Sequence, residues 1–239
     1  MTKIGSASTV ESSHAQTLSR GIRALEVLAE AGGGLSIAEL AEALGVHRSI
    51  AYRILRTLED HGLVSRDPGG RVELGPRLAV LARSVFRDLQ SAVLPELTAV
   101  ANELAMTSFL VVLDHHECVT LVSVEPREVH ATVAQRPGTR HALTYGAPGI
   151  AIQSRLSPQQ WARVGGDAIR PEAVEAARRG YATSHDEVIP GLRSVAAPLI
   201  IPGQTPAAIA VVYVASGHTT EQLGERLVEA STRVTRLLS

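Results

Sequence analysis

Between His47 and Leu58 the chain carries Arg48, Arg53 and Arg56 with no acid among them, and Ser49 and Tyr52 lie in the same stretch. At 3.6 residues per turn these five share one side of a helix, while Ile50, Ala51, Ile54, Leu55 and Leu58 share the other. Guanidinium, hydroxyl and phenol groups in one row are the chemistry that grips phosphates and reads base edges in a major groove. Any surface helix has a polar outer face, and most such faces are merely solvated. This one is set apart by its single sign of charge, its aromatic residue and the short helix joined to it through Gly45.

Such a row must be held by its neighbours, and the flanking residues supply them. From Ser19 the apolar positions Ile22, Leu25, Leu28 and Ala29 predict a helix that ends at Gly32-Gly33-Gly34. Ser36 with Glu39 three residues on forms a capping box for a second, short helix that stops at Gly45. The third helix begins at His47, runs to His61 and terminates at Gly62. Two short strands follow, Leu63 to Arg66 and Arg71 to Leu74, around the turn Asp67-Pro68-Gly69-Gly70, which sets an arginine on either side of a hairpin tip. Three helices and a hairpin are a winged helix-turn-helix. Its candidate DNA-contacting residues are Ser36, His47, Arg48, Ser49, Tyr52, Arg53 and Arg56, with Arg66 and Arg71 on the wing.

Pro76 opens a further helix, with Leu78, Leu81, Val85 and Leu89 at apolar spacing, which is expected to break over Ser91 to Pro95. An amphipathic helix from Glu96 to Met106 precedes two strands, Ser108 to Leu113 and Cys118 to Val124. Val129 to Gln135 is a third candidate strand. Two short helices, Pro158 to Val164 and Pro171 to Arg179, lead to a hairpin of Val195 to Ile201 and Ala207 to Val214, then a last helix, Glu221 to Leu238. The order predicts an α+β domain built on an antiparallel sheet.

The stretch Gln16 to Ala82 resembles the DNA-binding domain of the isocitrate lyase regulator (IclR) family of bacterial transcription factors, through its helix spacing, the Gly45 turn, Leu63-Val64 and Leu74-Gly75-Pro76-Arg77-Leu78. Arg179-Gly180-Tyr181-Ala182 through Asp186-Glu187, and Pro190 to Pro198, also resemble that family. The resemblance implies that the third helix lies in the major groove and the wing touches the DNA backbone, and that a linker helix joins them to a GAF-like ligand-sensing domain. Residues 1–15, rich in Ser and Thr with little apolar content, are expected to be a disordered tail, and the resemblance implies a DNA-binding domain over 16–75, a linker helix over 76–90 and an effector-binding and oligomerisation domain over 91–239. It also makes Arg136 to Leu156 the pocket-lining loop and helix. Carried over position by position, the ligand-binding set is Leu143, Ala147, Pro148, Ser184, Leu192, Ser194, Val211 and Tyr213. Thr144 and Ile150 replace the His and Lys of many members, and Val211 and Tyr213 stand where some acid-sensing relatives present hydroxyls. That pocket suits either a larger, partly aromatic ligand or no ligand, with Tyr213 filling the space.

A chain of 239 residues with 45% hydrophobic residues is neither disordered nor fibrous, and its net charge of −1 places any nucleic-acid affinity in a local patch. One cysteine, Cys118, excludes an internal disulfide and reads as a packed thiol. The first residues lack a basic region followed by an apolar core, and no apolar run approaches the roughly 20 residues of a bilayer span, so a cytoplasmic location is expected. No nucleophile elbow, zincin motif, phosphate loop or dinucleotide fingerprint is present, and His115, His116, His130, His141 and His185 lack a recognised ligand spacing. The expectation is therefore no enzyme, metal or cofactor. The expected function is transcription regulation as a homodimer or homotetramer on double-stranded operator DNA, as repressor or activator, modulated by a small organic, possibly aromatic, acid. The rival readings are a small-molecule enzyme in the α+β domain, a winged helix that docks protein, and a regulator without a small-molecule signal.

Overall fold

The computed structural model describes residues 15–127, 133–164 and 168–239. The chain forms two compact units, Met1–Val85 and Phe86–Ser239. In the first, α1 (Gln16–Ala31), α2 (Ile37–Ala43) and α3 (Arg48–Asp60) precede β1 (Val64–Arg66), β2 (Val72–Leu74) and α4 (Arg77–Ala82). Gly45 turns α2 into α3 at φ 61°, a left-handed conformation that costs glycine little. Leu40, Ile54, Leu55, Val64 and Val72 form the core. The α1 face differs from the expected one: Gly21, Ala24, Val27 and Leu28 are buried, while Ile22 is 51% exposed. Small residues let α3 approach closely, and that turns Ile22 outward.

The linker also differs. Instead of one helix from Pro76 to Leu89 and a break at Ser91 to Pro95, α4 ends at Ala82, a turn follows, and α5 (Arg87–Leu104) runs through Pro95. Leu89, Val93, Leu97, Val100 and Leu104 form one buried stripe, whereas α4 buries nothing. Continuous burial outweighs the hydrogen bond lost at Pro95, whose neighbour Ser91 is exposed to water.

In the second unit β3 (Thr107–Asp114), β4 (Glu117–Val124), β5 (Arg140–Ala142), β6 (Ala182–His185), β7 (Arg193–Leu199) and β8 (Ala207–Tyr213) form one antiparallel sheet in the order β5-β4-β3-β8-β7-β6. The fold is α+β, and helices cover both sheet faces. On one face α5 and α9 (Thr220–Leu238) pack with Leu110, Ile209, Val211 and Tyr213. On the other, α6 (Gly146–Gln153), α7 (Pro158–Val164) and α8 (Pro171–Arg179) pack with Phe109, Val111, Ala210 and Val212. The outer strand is Arg140–Ala142; of the candidate Val129 to Gln135, residues 129–132 lie outside the described residues and 133–135 form no strand.

Candidate functional site

Helix α3 starts at His47, whose Nδ1 accepts from the Ser49 amide at 3.4 Å and stands 2.9 Å from the Ser49 hydroxyl. Ala51, Ile54, Leu55 and Leu58 are buried, and Arg48, Ser49, Tyr52, Arg53 and Arg56 are exposed on the opposite side. The ion pairs of this unit fall on Arg23, Arg66 and Arg71, and none on Arg48, Arg53 or Arg56 among the described residues. Three uncompensated guanidinium groups on one rigid helix face make a surface for phosphates or base edges.

The wing arginines are used differently. Arg66 Nε donates to Glu59 at 3.1 Å, and Arg71 donates to the Gly34 carbonyl at 2.6 Å and to Glu39 at 3.1 Å. Leu35 and Val72 exchange backbone hydrogen bonds of 2.9 and 2.7 Å, so the hairpin is stitched to the segment before α2. Ser36 is the N-cap there: its amide donates to Glu39 at 2.7 Å and its hydroxyl accepts from the Glu39 amide at 3.2 Å. These Ser36 hydrogen bonds first, and then Arg71, hold the Glu39 carboxyl below its ordinary pKa. Ser36→Ala is expected to cost about 0.5 to 2 kcal/mol in urea unfolding of the full chain. A variant as stable as the parent would show that the cap contributes nothing.

In the second unit a cavity of about 40 Å³ lies between the start of α6 and strands β6 and β7. Of the expected pocket residues, Pro148, Ser184, Leu192 and Ser194 border it. Leu143 and Ala147 are buried in the adjoining cluster, and the Ala147 amide donates to the Ser184 hydroxyl at 2.8 Å. Val211 and Tyr213 do not border it: they lie on the opposite sheet face with α5 and α9, and Val212 takes the cavity position. A strand alternates its side chains with period two, so an assignment displaced by one residue changes face. Phe109, His141, Arg170 and Glu187 were missed. Phe109, His141 and Glu187 border the cavity, and Arg170 grips Glu187 at 2.6 and 3.1 Å. Only Glu187 carried a signal, as part of the Asp186-Glu187 match; Arg170 is brought in by tertiary folding alone.

Other chemistry has less support. Among the described residues no three His, Cys, Asp or Glu side chains converge as metal ligands. Cys118 is buried on β4, and burial first, then Glu117, pushes its thiol up to about 12. At neutral pH that is a packed thiol rather than a nucleophile.

A family model of the IclR helix-turn-helix domain matches residues 17–68. The transcriptional repressor IclR of Escherichia coli is 27% identical over 245 residues, covering 92% of this chain and 89% of that protein. Residues 17–68 thus match an IclR-type helix-turn-helix, and over most of its length the chain is similar to IclR-family transcriptional regulators. A further relative, the HTH-type transcriptional regulator Rv1719 of Mycobacterium tuberculosis, is 37% identical over 150 residues, 62% of this chain and 57% of that protein. The match thus spans little more than half the length of that relative. An IclR regulator structure from Alicyclobacillus acidocaldarius superposes with a TM-score of 0.77 at 28% identity, over 95% of this chain and all of that one. The family match falls on α1 to α3 and the first strand of the wing, and so includes the helix α3 that carries Arg48, Arg53 and Arg56. Of the two positions at which the sequence is expected to depart from the resembling family, Ile150 is fully buried inside α6, and the Thr144 carbonyl accepts from Arg170 at 3.0 Å.

Proposed function

We propose that this chain is a cytoplasmic, DNA-binding transcriptional regulator that works as a homo-oligomer and answers to a small organic molecule bound beside α6. The observation that carries the reading is the row Arg48, Arg53 and Arg56, exposed and without an acidic partner among the described residues, opposite the buried face of α3. An enzyme has no use for that row, and protein docking does not require it. The second unit supports a binding role through its cavity, and a ligand shifts DNA affinity only by its differential affinity for two arrangements of the protein. Among the described residues no helix is long and apolar enough to cross a membrane.

Paired half-sites need paired heads, and the first unit exposes apolar side chains for pairing: Leu18 at 65% and Ile22 at 51% on α1, Val80 at 62% and Leu81 at 54% on α4. The test is footprinting on DNA upstream of the neighbouring genes, together with sedimentation at micromolar concentration. A protected two-fold symmetric site bound by a dimer or tetramer is expected. A monomer with and without DNA, or no preference for any upstream segment, would remove the proposal.

A further inference from the structure

At the amino end of α6 the donors that would greet an anion are already occupied. The Gly146 amide donates to Glu187 Oε2 at 2.8 Å, and the Ala147 amide donates to Ser184 Oγ at 2.8 Å. Arg170 holds both Glu187 oxygens, at 2.6 and 3.1 Å, and spends its other N–H groups on the Thr144 carbonyl and Glu172. Glu187 therefore sits where the head group of an acid would sit, with a charge-assisted pair and a helix start of its own. A second carboxylate would meet the like charge of Glu187, with these amide and guanidinium donors already taken. Arg193 also borders the cavity, but it stands opposite Tyr213 in the strand register, so its side chain belongs to the other sheet face. His141 adds no charge: its Nδ1 is 3.1 Å from the Ala142 carbonyl, and burial, outweighing the Ala142 and Tyr145 backbone contacts and Glu117, lowers its pKa.

Between strands β6 and β7 the cavity also presents a pair of hydroxyl functions. Ser184 accepts from Ala147, which leaves its proton to donate, whereas Ser194 donates to the Val211 carbonyl at 2.8 Å, which leaves its lone pairs to accept. The two serines are direct cross-strand partners of β6 and β7, so their side chains stand side by side. Phe109, Pro148, Leu192 and Val212 give the cavity its apolar wall.

We propose that this cavity selects an uncharged ligand with a compact apolar body and one hydroxyl, which accepts from Ser184 and donates to Ser194, while Glu187 holds the place of an acid's head. The proposal rests on the reading of the cavity as the effector site, and it differs from the acid expected on sequence grounds. At about 40 Å³ the cavity as it stands holds two or three waters. A ring enters by moving the tip Val188–Pro190, where Val188 and Ile189 are 44% and 45% exposed, with the latch at Glu187 left in place. The ends of that loop are pinned, since the Asp186 amide donates to the Leu192 carbonyl at 3.0 Å.

The test is calorimetry on the full chain with 4-methylphenol and benzyl alcohol against benzoate, in the parent and in Glu187→Ala. The parent is expected to bind the two neutral compounds and to bind benzoate at least about tenfold more weakly. Glu187→Ala, by releasing the Gly146 amide and Arg170, is expected to gain benzoate affinity by about tenfold to a hundredfold. Glu187→Gln, which keeps an acceptor for Gly146 and removes only the charge, serves if the alanine variant does not fold, and a smaller gain in the same direction is expected. Benzoate bound by the parent as tightly as 4-methylphenol would overturn the head-group assignment and leave the effector reading standing. Neutral binding without a gain in either variant would overturn the role of Glu187. No binding of any compound to the parent and no gain in the variants would overturn both readings.

Discussion

Replacing Arg53 and Arg56 together by alanine is expected to abolish specific operator binding at physiological salt while leaving the fold intact. Both side chains are exposed on the outward face of α3, so their removal opens no cavity, and alanine suits a helix interior. Stability should move by no more than about 0.5 kcal/mol. Binding should weaken by about 1 to 3 kcal/mol for each guanidinium that reads a base edge. For each one that grips a phosphate instead, the slope of log affinity against log salt should flatten by about one unit. Anisotropy titrations across a potassium chloride series separate the two, and a parallel thermal melt confirms the fold. An affinity and salt slope equal to the parent's would show that α3 does not face DNA.

A large effect on stability is expected at Gly149. A Cβ at this position of α6 would stand 2.2 Å from the Leu143 carbonyl oxygen and 3.0 Å from its carbon, and both are backbone atoms. The same carbonyl accepts from Gln153 Nε2 at 2.8 Å, which ties it down further. Gly149→Ala must therefore push α6 off its bed, at a cost at or above the upper end of about 1 to 3 kcal/mol for overpacked sites. Gly33→Ala provides the control: a Cβ there meets nothing within 4 Å, and a change within about 0.5 kcal/mol is expected. Equal urea midpoints for the two variants would contradict the close approach of α6.

The elements that were legible are those whose signals are local. A capping box at Ser36, a glycine at Gly45 and an amphipathic row from Arg48 to Leu58 each act within a few residues, and α2, α3 and the wing stand where they were expected. Edge strands β5 and β6 escaped because they have only 3 and 4 residues and a largely polar composition. Such segments become strands by pairing with a neighbour already in place. Proline at position 95 reads as a stop in any sequence, and only the stripe from Leu89 to Leu104 shows that the helix passes through it.

Sequence alone was enough for the class of fold, the winged helix-turn-helix and the side of α3 that faces outward, because a helix with one buried face writes its orientation into its periodicity. It was not enough for the cavity. Strands β3 and β8 are buried on both faces, so Phe109 to Leu113 and Ala207 to Tyr213 read as nearly continuous apolar runs with no alternation to say which side each residue takes. Tyr213 was thus expected at the ligand and packs against α5 and α9, while Val212 borders the cavity. The pairing of Glu187 with Arg170 is likewise invisible along the chain. Folding brings the two together at 2.6 Å across 17 positions of sequence, since only the packing of α6 between α8 and β6 places the start of that helix, and the charge it attracts, at one point in space.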